Sequence, residues 1–352
     1  MSEENYISIY DNNAYVVSPL FADFSLMTND EFHQSFNRDT VNENYFAPYK
    51  RLIKDNRSFR NLSEAQSYAK KINRDANQEM EEGFITHNLA TLRYRIITLV
   101  GKLQMITEDE LIYKLQVMVS KDNPLKVSKR KFDQVIKGLI ESGLLQVWRI
   151  EVPTDNTEPC YIGYSLTESG GMVYVQFNYT DTRFIDAYSM IKLDQSLKKK
   201  YFALSELIIQ MTIEFSVIDV RKDYIVNGSK PNTRPEHLIN LEIGGHKLQV
   251  LLDRLIGASK FVSHLDRQVS KLAMQTNKGE EPLELNGDKD SPKLLFYSIG
   301  SLQMLTYIAQ QTQSLQFSPI PVVFLNEQEY IEEGITEAMY TIKDGKIERF
   351  KL

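Results

Sequence analysis

Residues 125–150 read LKVSKRKFDQVIKGLIESGLLQVWRI, and this stretch decides how the middle of the chain folds. Its apolar residues recur at the spacing of one helix face: Phe132, Val135, Ile136, Leu139 and Ile140. The stripe predicts an amphipathic helix, with Ser128 as its N-cap and Gly143 as the left-handed residue that ends it. The residues after the glycine, 144–152, have the composition of a strand.

The segments on either side predict further elements. A longer helix is expected over residues 86–103, where the apolar stripe is regular. Thr107 and Glu110 have the spacing of a capping box, which predicts the start of a second, shorter helix. A polar turn follows the strand at 144–152, and then comes a second strand at 160–167. The predicted order is therefore helix, short helix, helix and two-stranded hairpin.

The second strand ends in the sequence YSLTESG, which contains Tyr164, Leu166, Thr167 and Gly170. This stretch resembles the Y-x-L-T-x-x-G that closes the wing in many bacterial winged helix-turn-helix regulators. The resemblance covers roughly residues 86–177. It implies a winged helix-turn-helix domain, assigned to residues 85–180, in which the strand residues pack on the helices and Thr167 caps the segment after it.

Basic residues are concentrated at the third helix, although the whole chain is acidic with a formal net charge of -6. Residues 121–137 include six basic and two acidic side chains. A helix face with this charge can enter a major groove, where side chains read base edges and lysines hold phosphates. The candidate DNA-contacting residues are Lys126, Ser128, Lys129, Arg130, Lys131, Gln134, Lys137 and, on the wing, Arg149. A solvated helix surface, or a winged helix that contacts protein, is the alternative interpretation.

The composition is that of a globular protein of two or three domains, with 352 residues, 42% of them hydrophobic and 25% charged. The single cysteine, Cys160, excludes a disulfide framework, and a buried structural thiol is expected. No run approaches about 18 apolar residues and the N-terminus lacks a signal-peptide pattern, which predicts a cytoplasmic protein without a membrane partner. The glycine patterns do not fit a phosphate-binding loop, so no cofactor is expected.

Residues 181–352 are predicted to form a small α/β domain with a dimerisation or partner role, so that the fold class is α+β. Helical patterns cover three segments, the first with a break near Lys198–Lys200: 183–215, 246–276 and 301–313. They alternate with four predicted strands: 216–226, 236–244, 293–300 and 320–326.

This order is similar to the degenerate restriction-endonuclease-like half of the replication-relaxation family of plasmids and integrative elements. An active nuclease of that fold needs an acid on one strand and an acid-x-Lys on the next. Here Glu236 and Glu242 are the candidate acids, but Gly244 stands where the lysine is needed, and the nearest lysine is Lys247. The pattern favours a structural remnant. The spacing of the neighbouring histidines fits no zinc motif, so no metal site is predicted: His237, His246 and His264.

Residues 1–84 form an aromatic-rich segment that is predicted to be irregular apart from a helix. Its aromatic side chains are unfavourable in water, so the segment either packs on the protein's own body or binds a partner chain.

The sequence therefore predicts a non-enzymatic, sequence-specific protein that binds double-stranded DNA as a homodimer. Its expected role is transcription control, or replication or conjugation of a plasmid or mobile element. Two alternatives stay open. One is an Mg²⁺-dependent nuclease with a rearranged site of Glu236, Glu242 and Lys247, and the other is a winged-helix scaffold that contacts protein in a DNA-associated complex.

Overall fold

The computed structural model describes most of the chain in eleven ranges: 6–7, 23–26, 62–81, 89–117, 127–151, 160–177, 195–221, 235–255, 261–277, 292–312 and 314–352. It contains two compact units, and the described residues pass from the first unit to the second between Ser205 and Glu206. Sequence composition places this boundary at 180/181 instead. Both units contain helices and strands, so the mixed α+β class is confirmed.

The first unit combines helices with short and medium strands. Its helices are α1 (Leu62–Glu81), α2 (Leu89–Leu103), α3 (Glu108–Val117), α4 (Lys129–Glu141), α5 (Glu168–Phe177) and α6 (Gln195–Glu214), the last continuing into the second unit. Its strands are β1 (Tyr6–Ile7), β2 (Asp23–Leu26), β3 (Ile106–Thr107), β4 (Val127–Ser128), β5 (Leu145–Glu151) and β6 (Cys160–Leu166).

Four of these strands form an antiparallel sheet in the order β2–β5–β6–β3, while β1 pairs with β4. Both described strands of the N-terminal segment thus pair with the body of the first unit. Trp148 is buried in the β5–β6 hairpin, where its indole N–H donates to the Ser165 hydroxyl at 2.7 Å. The ammonium of Lys198 in α6 lies 5.2 Å from the centroid of the same indole.

Helix α4 matches its predicted stripe and its predicted end. The five apolar residues of the stripe are all buried. Gly143 has φ 64°, its N–H donates to the Ile140 carbonyl at 2.9 Å, and the Leu144 N–H donates to the Leu139 carbonyl at 2.8 Å. These two bonds form a Schellman motif, which satisfies the last carbonyls of the helix and needs a residue with positive φ. The predicted glycine stop is confirmed.

Helix α3 begins with the predicted capping box. The Thr107 N–H donates to the Glu110 carboxylate at 2.8 Å, and the Glu110 N–H donates to the Thr107 hydroxyl at 3.2 Å. Each side chain therefore satisfies a backbone donor that the helix itself leaves without a partner. The prediction is confirmed, and both residues are buried.

The second unit is organised around one large sheet. Its strands are β7 (Ser216–Arg221), β8 (His237–Ile243), β9 (His246–Arg254), β10 (Lys293–Ile299), β11 (Val322–Asn326), β12 (Met339–Lys343) and β13 (Lys346–Arg349). Its further helices are α7 (Phe261–Asn277), α8 (Leu302–Gln311) and α9 (Glu327–Glu333). None of the helices in the described ranges is long and apolar enough to cross a membrane.

The seven strands follow one another in the sheet in chain order, from β7 at one edge to β13 at the other. Strands β9, β10 and β11 are parallel, and the outer pairs are antiparallel. Parallel neighbours need crossover connections, and helices α7 and α8 lie in these connections. Leu265 of α7 and Leu305 of α8 pack in one core with Leu251 and Tyr297 of the sheet.

The predicted helix over residues 246–276 is wrong at its start, because His246–Arg254 form strand β9. Gly244 and Gly245, with φ 57° and 82°, reverse the chain so that all of β8 pairs with residues 246–252 of β9. A two-residue turn with positive φ at both positions matches the twist of the strands it joins. The turn therefore overrides the helical spacing of the apolar residues.

Two other predictions for this half of the chain also need correction. Helix α6 runs through Lys198–Lys200 without the predicted break. Lys198 and Lys200 are only 7% and 9% exposed, so their aliphatic stems are packed while the helix continues. The hairpin of β12 and β13 across Asp344–Gly345 was not predicted at all.

Candidate nucleic-acid interface

Helix α4 exposes a polar face opposite its buried stripe. Lys129, Arg130 and Gln134 are exposed, and Lys131 and Lys137 are half-buried. The helical spacing predicted this separation, because residues three and four apart share a face. Five of the eight candidate residues thus lie on α4, with Arg130, Gln134 and Lys137 close together on the polar face and Lys129 and Lys131 on either side of them.

The positive charge is greatest at the start of α4. Lys129, Arg130 and Lys131 occupy its first three positions, and its first turn contains no acid. The N-terminus of a helix carries a partial positive charge, so cations there are unfavourable for the helix itself. The Ser128 side chain makes no hydrogen bond to the first turn. The first-turn N–H groups and three cations therefore form a place suited to an anion such as phosphate.

Ser128 itself has to be removed from the candidate set. Its backbone pairs with Tyr6 in the β1–β4 ladder, and the residue is only 2% exposed. Its hydroxyl therefore cannot reach a ligand that approaches the face of α4. Lys126, another candidate, lies outside the described residues.

Arg149 lies within the sheet rather than at the tip of the hairpin. Its register partners are Ile162 on β6 and Ser25 on β2, and its side chain is half-buried. The residues between the two strands, 152–159, lie outside the described part of the chain. Whether Arg149 contacts a partner stays a prediction.

The C-terminal end of the basic face has an ionisable acid, Glu141. Burial raises the pKa of Glu141 to about 7, while the nearby Lys137 acts in the opposite direction. Near neutral pH a fraction of the Glu141 side chains is therefore protonated. This reduces the negative charge that a phosphate would meet beside Lys137.

The YSLTESG residues contact the start of α3 and the end of α4. The Tyr164 hydroxyl donates to Glu108 of α3, and the Thr167 hydroxyl donates to the carbonyl of Gly143 at the end of α4. The same Thr167 oxygen accepts the Gly170 N–H at 3.0 Å and so caps α5, as expected. A Cβ on Gly170 would lie 2.0 Å from the Leu144 carbonyl oxygen. Through these contacts, the motif holds the β5–β6 hairpin and α5 against the end of α4.

Sequence reasoning missed one basic residue at this face, Arg93 of α2. Its Nη2 lies 3.6 Å from the position that a Cβ on Gly138 would take. Arg93 thus adds a guanidinium beside the middle of α4. No local sequence signal predicts this, because the contact depends on how α2 packs across α4.

The residues considered for a nuclease are not brought together. Glu236 lies just before β8 and Glu242 near its far end, six residues along the chain, which is about 20 Å in a strand. Glu242 is opposite Lys247 in the hairpin. Two carboxylates at this separation cannot share one Mg²⁺ ion, whose bonds are about 2.1 Å long. Within the described ranges, no three His, Cys, Asp or Glu side chains converge on a common point either.

No protein-family model, no curated protein and no solved structure matches this chain.

Proposed function

We propose that the chain binds double-stranded DNA through a winged helix in its first unit, with α4 as the recognition helix. The observation that carries this proposal is the run Lys129–Arg130–Lys131 in the first turn of α4. These cations interact unfavourably with the helix dipole. A phosphate bound at the same place would interact favourably with both the cations and the helix N-terminus, and so would offset this repulsion.

The arrangement around α4 supports the winged-helix interpretation. Helices α2, α3 and α4 precede the hairpin β5–β6, and the short strand β3 pairs with the hairpin. In a domain of this kind the third helix enters the major groove and the hairpin lies beside it. The resemblance of YSLTESG to the wing-closing motif of bacterial regulators points in the same direction.

The side chains of α4 divide into two roles under this proposal. Arg130 and Gln134 are exposed one turn apart, and their side chains suit the edges of guanine and adenine, respectively. Lys129, Lys131 and Lys137 lie near them on the same helix and suit phosphates. Because the chain carries a net charge of -6, binding depends on this local patch and is expected to weaken steeply with salt.

The proposal is tested by fluorescence anisotropy with a labelled duplex of random sequence, at several salt concentrations. The double variant Arg130→Ala/Lys137→Ala should bind about tenfold or more weakly, and its affinity should depend less steeply on salt. The matched control is Lys70→Ala/Lys71→Ala, which removes the same charge from an exposed part of α1. This control should bind like the wild type.

Equal affinity of the wild type and the α4 double variant would overturn the proposal for this helix. If neither protein binds any duplex while α4 captures a protein partner, the scaffold alternative is favoured. Loss of binding in the α1 control alone would place the interface elsewhere on the unit.

The wider role is proposed on the same basis. A two-fold homodimer would present two α4 helices to half-sites about 34 Å apart, one turn of DNA. The likeness of residues 181–352 to a degenerate restriction-endonuclease-like domain rests on the predicted order of long helix, strand, strand, helix, strand and helix, in which the structure replaces the start of the helix predicted at 246–276 by strand β9. A cytoplasmic regulator, or a replication or conjugation factor of a plasmid or mobile element, fits this combination.

A further inference from the structure

Three polar side chains of the second unit converge at the carboxyl ends of its parallel strands. Asp253 is near the end of β9, and His264 and Gln268 lie one turn apart on α7, the helix that follows β9. Tyr297 of β10 is the register neighbour of Asp253. Ligands of α/β sheets commonly bind where parallel strands end. None of these residues belongs to the face of α4.

The three side chains approach one another through single atoms. The His264 Nε2 lies 3.5 Å from the Asp253 Oδ2 and 3.0 Å from the Gln268 amide nitrogen. The third side of this triangle, from the Gln268 amide to the Asp253 Oδ2, is 3.4 Å. Two of the three distances exceed the about 2.7 to 3.2 Å of a normal N–H···O hydrogen bond. The two contacts to the Asp253 carboxylate are therefore longer than ordinary hydrogen bonds, while the contact between Gln268 and His264 is of ordinary length.

The same distances fit the ligands of a metal ion. Around an ion with bonds of about 2.1 Å, neighbouring ligands are roughly 3.0 Å apart at octahedral angles and roughly 3.4 Å apart at tetrahedral angles. We propose that Asp253, His264 and Gln268 bind one divalent transition-metal ion of the Mn²⁺ or Zn²⁺ type. A carboxylate, an imidazole and an amide suit these ions, whereas Mg²⁺ and Ca²⁺ prefer oxygen ligands alone.

Neighbouring groups orient Asp253 and Gln268 as ligands of the ion. The other carboxylate oxygen of Asp253 accepts the Arg254 N–H at 2.8 Å, which leaves Oδ2 directed at the triangle. The Tyr297 hydroxyl hydrogen-bonds the far atom of the Gln268 amide. A hydroxyl both donates and accepts, so the amide can present its oxygen to the ion after a half-turn. Such partners behind the ligands fix their orientation.

Among the described residues, His264 is the accessible member of the site. Asp253 and Gln268 are 1% and 3% exposed, whereas the His264 side chain is 36% exposed. An ion enters past His264 and keeps water on its open positions. The nearby buried charge of Arg254 is held by Glu327 through two hydrogen bonds of 2.5 and 2.9 Å, so this guanidinium faces a different carboxylate.

The first test is calorimetric titration of the chelator-treated full-length chain with MnCl₂ and with ZnCl₂. One ion should bind per chain, and His264→Ala should bind at least about tenfold more weakly. The matched control is His246→Ala. This variant removes an exposed histidine at the start of β9, the strand that has Asp253 near its end, and it should bind like the wild type. Absence of saturable binding, or equal binding by His264→Ala, would overturn the proposal.

A second variant separates a metal site from a hydrogen-bond network. Gln268→Glu supplies a carboxylate oxygen, so it should bind the ion more tightly than the wild type. Without metal this variant places two carboxylates together and should melt at a lower temperature, and added Mn²⁺ should restore the melting temperature. If Mn²⁺ leaves the melting temperature of the folded variant unchanged, the three residues form a hydrogen-bond network only.

Discussion

The side chain of Glu110 is a buried carboxyl group at the start of helix α3. It is 4% exposed, and its oxygen accepts the Thr107 N–H in the capping box of α3. Burial raises its pKa from the ordinary 4.5 to about 7, against the lowering effect of the hydrogen bonds from Thr107. The carboxyl group therefore keeps its proton in the folded chain at pH values where the unfolded chain has lost it.

We expect this proton to make the first unit more stable in mild acid. Because the pKa is raised on folding, the contribution of Glu110 is fully present below about pH 4.5 and is lost as the pH rises through about 7. The shift corresponds to about 3 kcal/mol. Glu110→Gln keeps an acceptor for Thr107 and removes the titration, so it should be more stable than the wild type at pH 8 and similar to it near pH 4.5.

Urea unfolding followed by tryptophan fluorescence measures this difference, because the single tryptophan, Trp148, lies in the first unit. Glu332→Gln, an exposed substitution on α9, is the control and should follow the wild type at each pH. Parallel stability curves for the wild type and Glu110→Gln would contradict the role given to Glu110.

At the scale of elements, the basic residues in the first turn of α4 have opposite effects on the stability of the free protein and on DNA binding. Three cations there interact unfavourably with the helix dipole, while they suit a bound phosphate. Lys129→Glu should therefore have opposite effects on the two properties. It should stabilise the free protein by about 0.3 to 1 kcal/mol, and it should weaken DNA binding about tenfold or more.

Chemical denaturation and duplex anisotropy on the same sample measure both effects of Lys129→Glu. The comparison variant is Lys70→Glu, an exposed substitution within α1, where neither effect is expected. A Lys129→Glu protein that is less stable than the wild type, or that binds DNA equally well, would refute this account of the first turn.

Elements that carry their own signals could be predicted from the sequence. Helix α4, its Gly143 stop and the capping box of α3 depend on residues within a few positions of one another. Strand β9 could not be identified from its apolar residues, because HKLQVLLDR satisfies a helix and a strand equally well. The deciding information was in the turn, where Gly244–Gly245 forces a hairpin, as Asp344–Gly345 does later.

In the candidate sites too, only features set by neighbouring residues could be predicted from the sequence. The basic face followed from helical spacing, but the burial of Ser128 depends on pairing with Tyr6, which is remote in the sequence. Arg93 and the triangle of Asp253, His264 and Gln268 also come from separate elements. Contacts of this kind arise from packing, and one sequence contains no local pattern for them.

For the whole molecule, helix α6 makes the boundary assigned from composition unsuitable for dissection. The described residues up to Ser205 belong to the first unit, and Lys198 contacts Trp148. A fragment of residues 1–180 lacks this contact and should expose Trp148, whereas a fragment of residues 1–214 should retain it. The tryptophan emission should shift to longer wavelength in the shorter fragment only. Identical native-like emission from both fragments would show that α6 is dispensable for the first unit.

Helix α6 also affects how recombination can exchange the two units during evolution. Domains are usually joined by exposed linkers, and recombination at a linker exchanges one domain while leaving the other intact. Here the passage between the units falls inside a continuous helix, at Ser205–Glu206. A crossover there would join two half-helices whose buried residues were selected against different cores. The two units are therefore expected to be inherited as a pair, and swapped only where a donor brings its own version of α6.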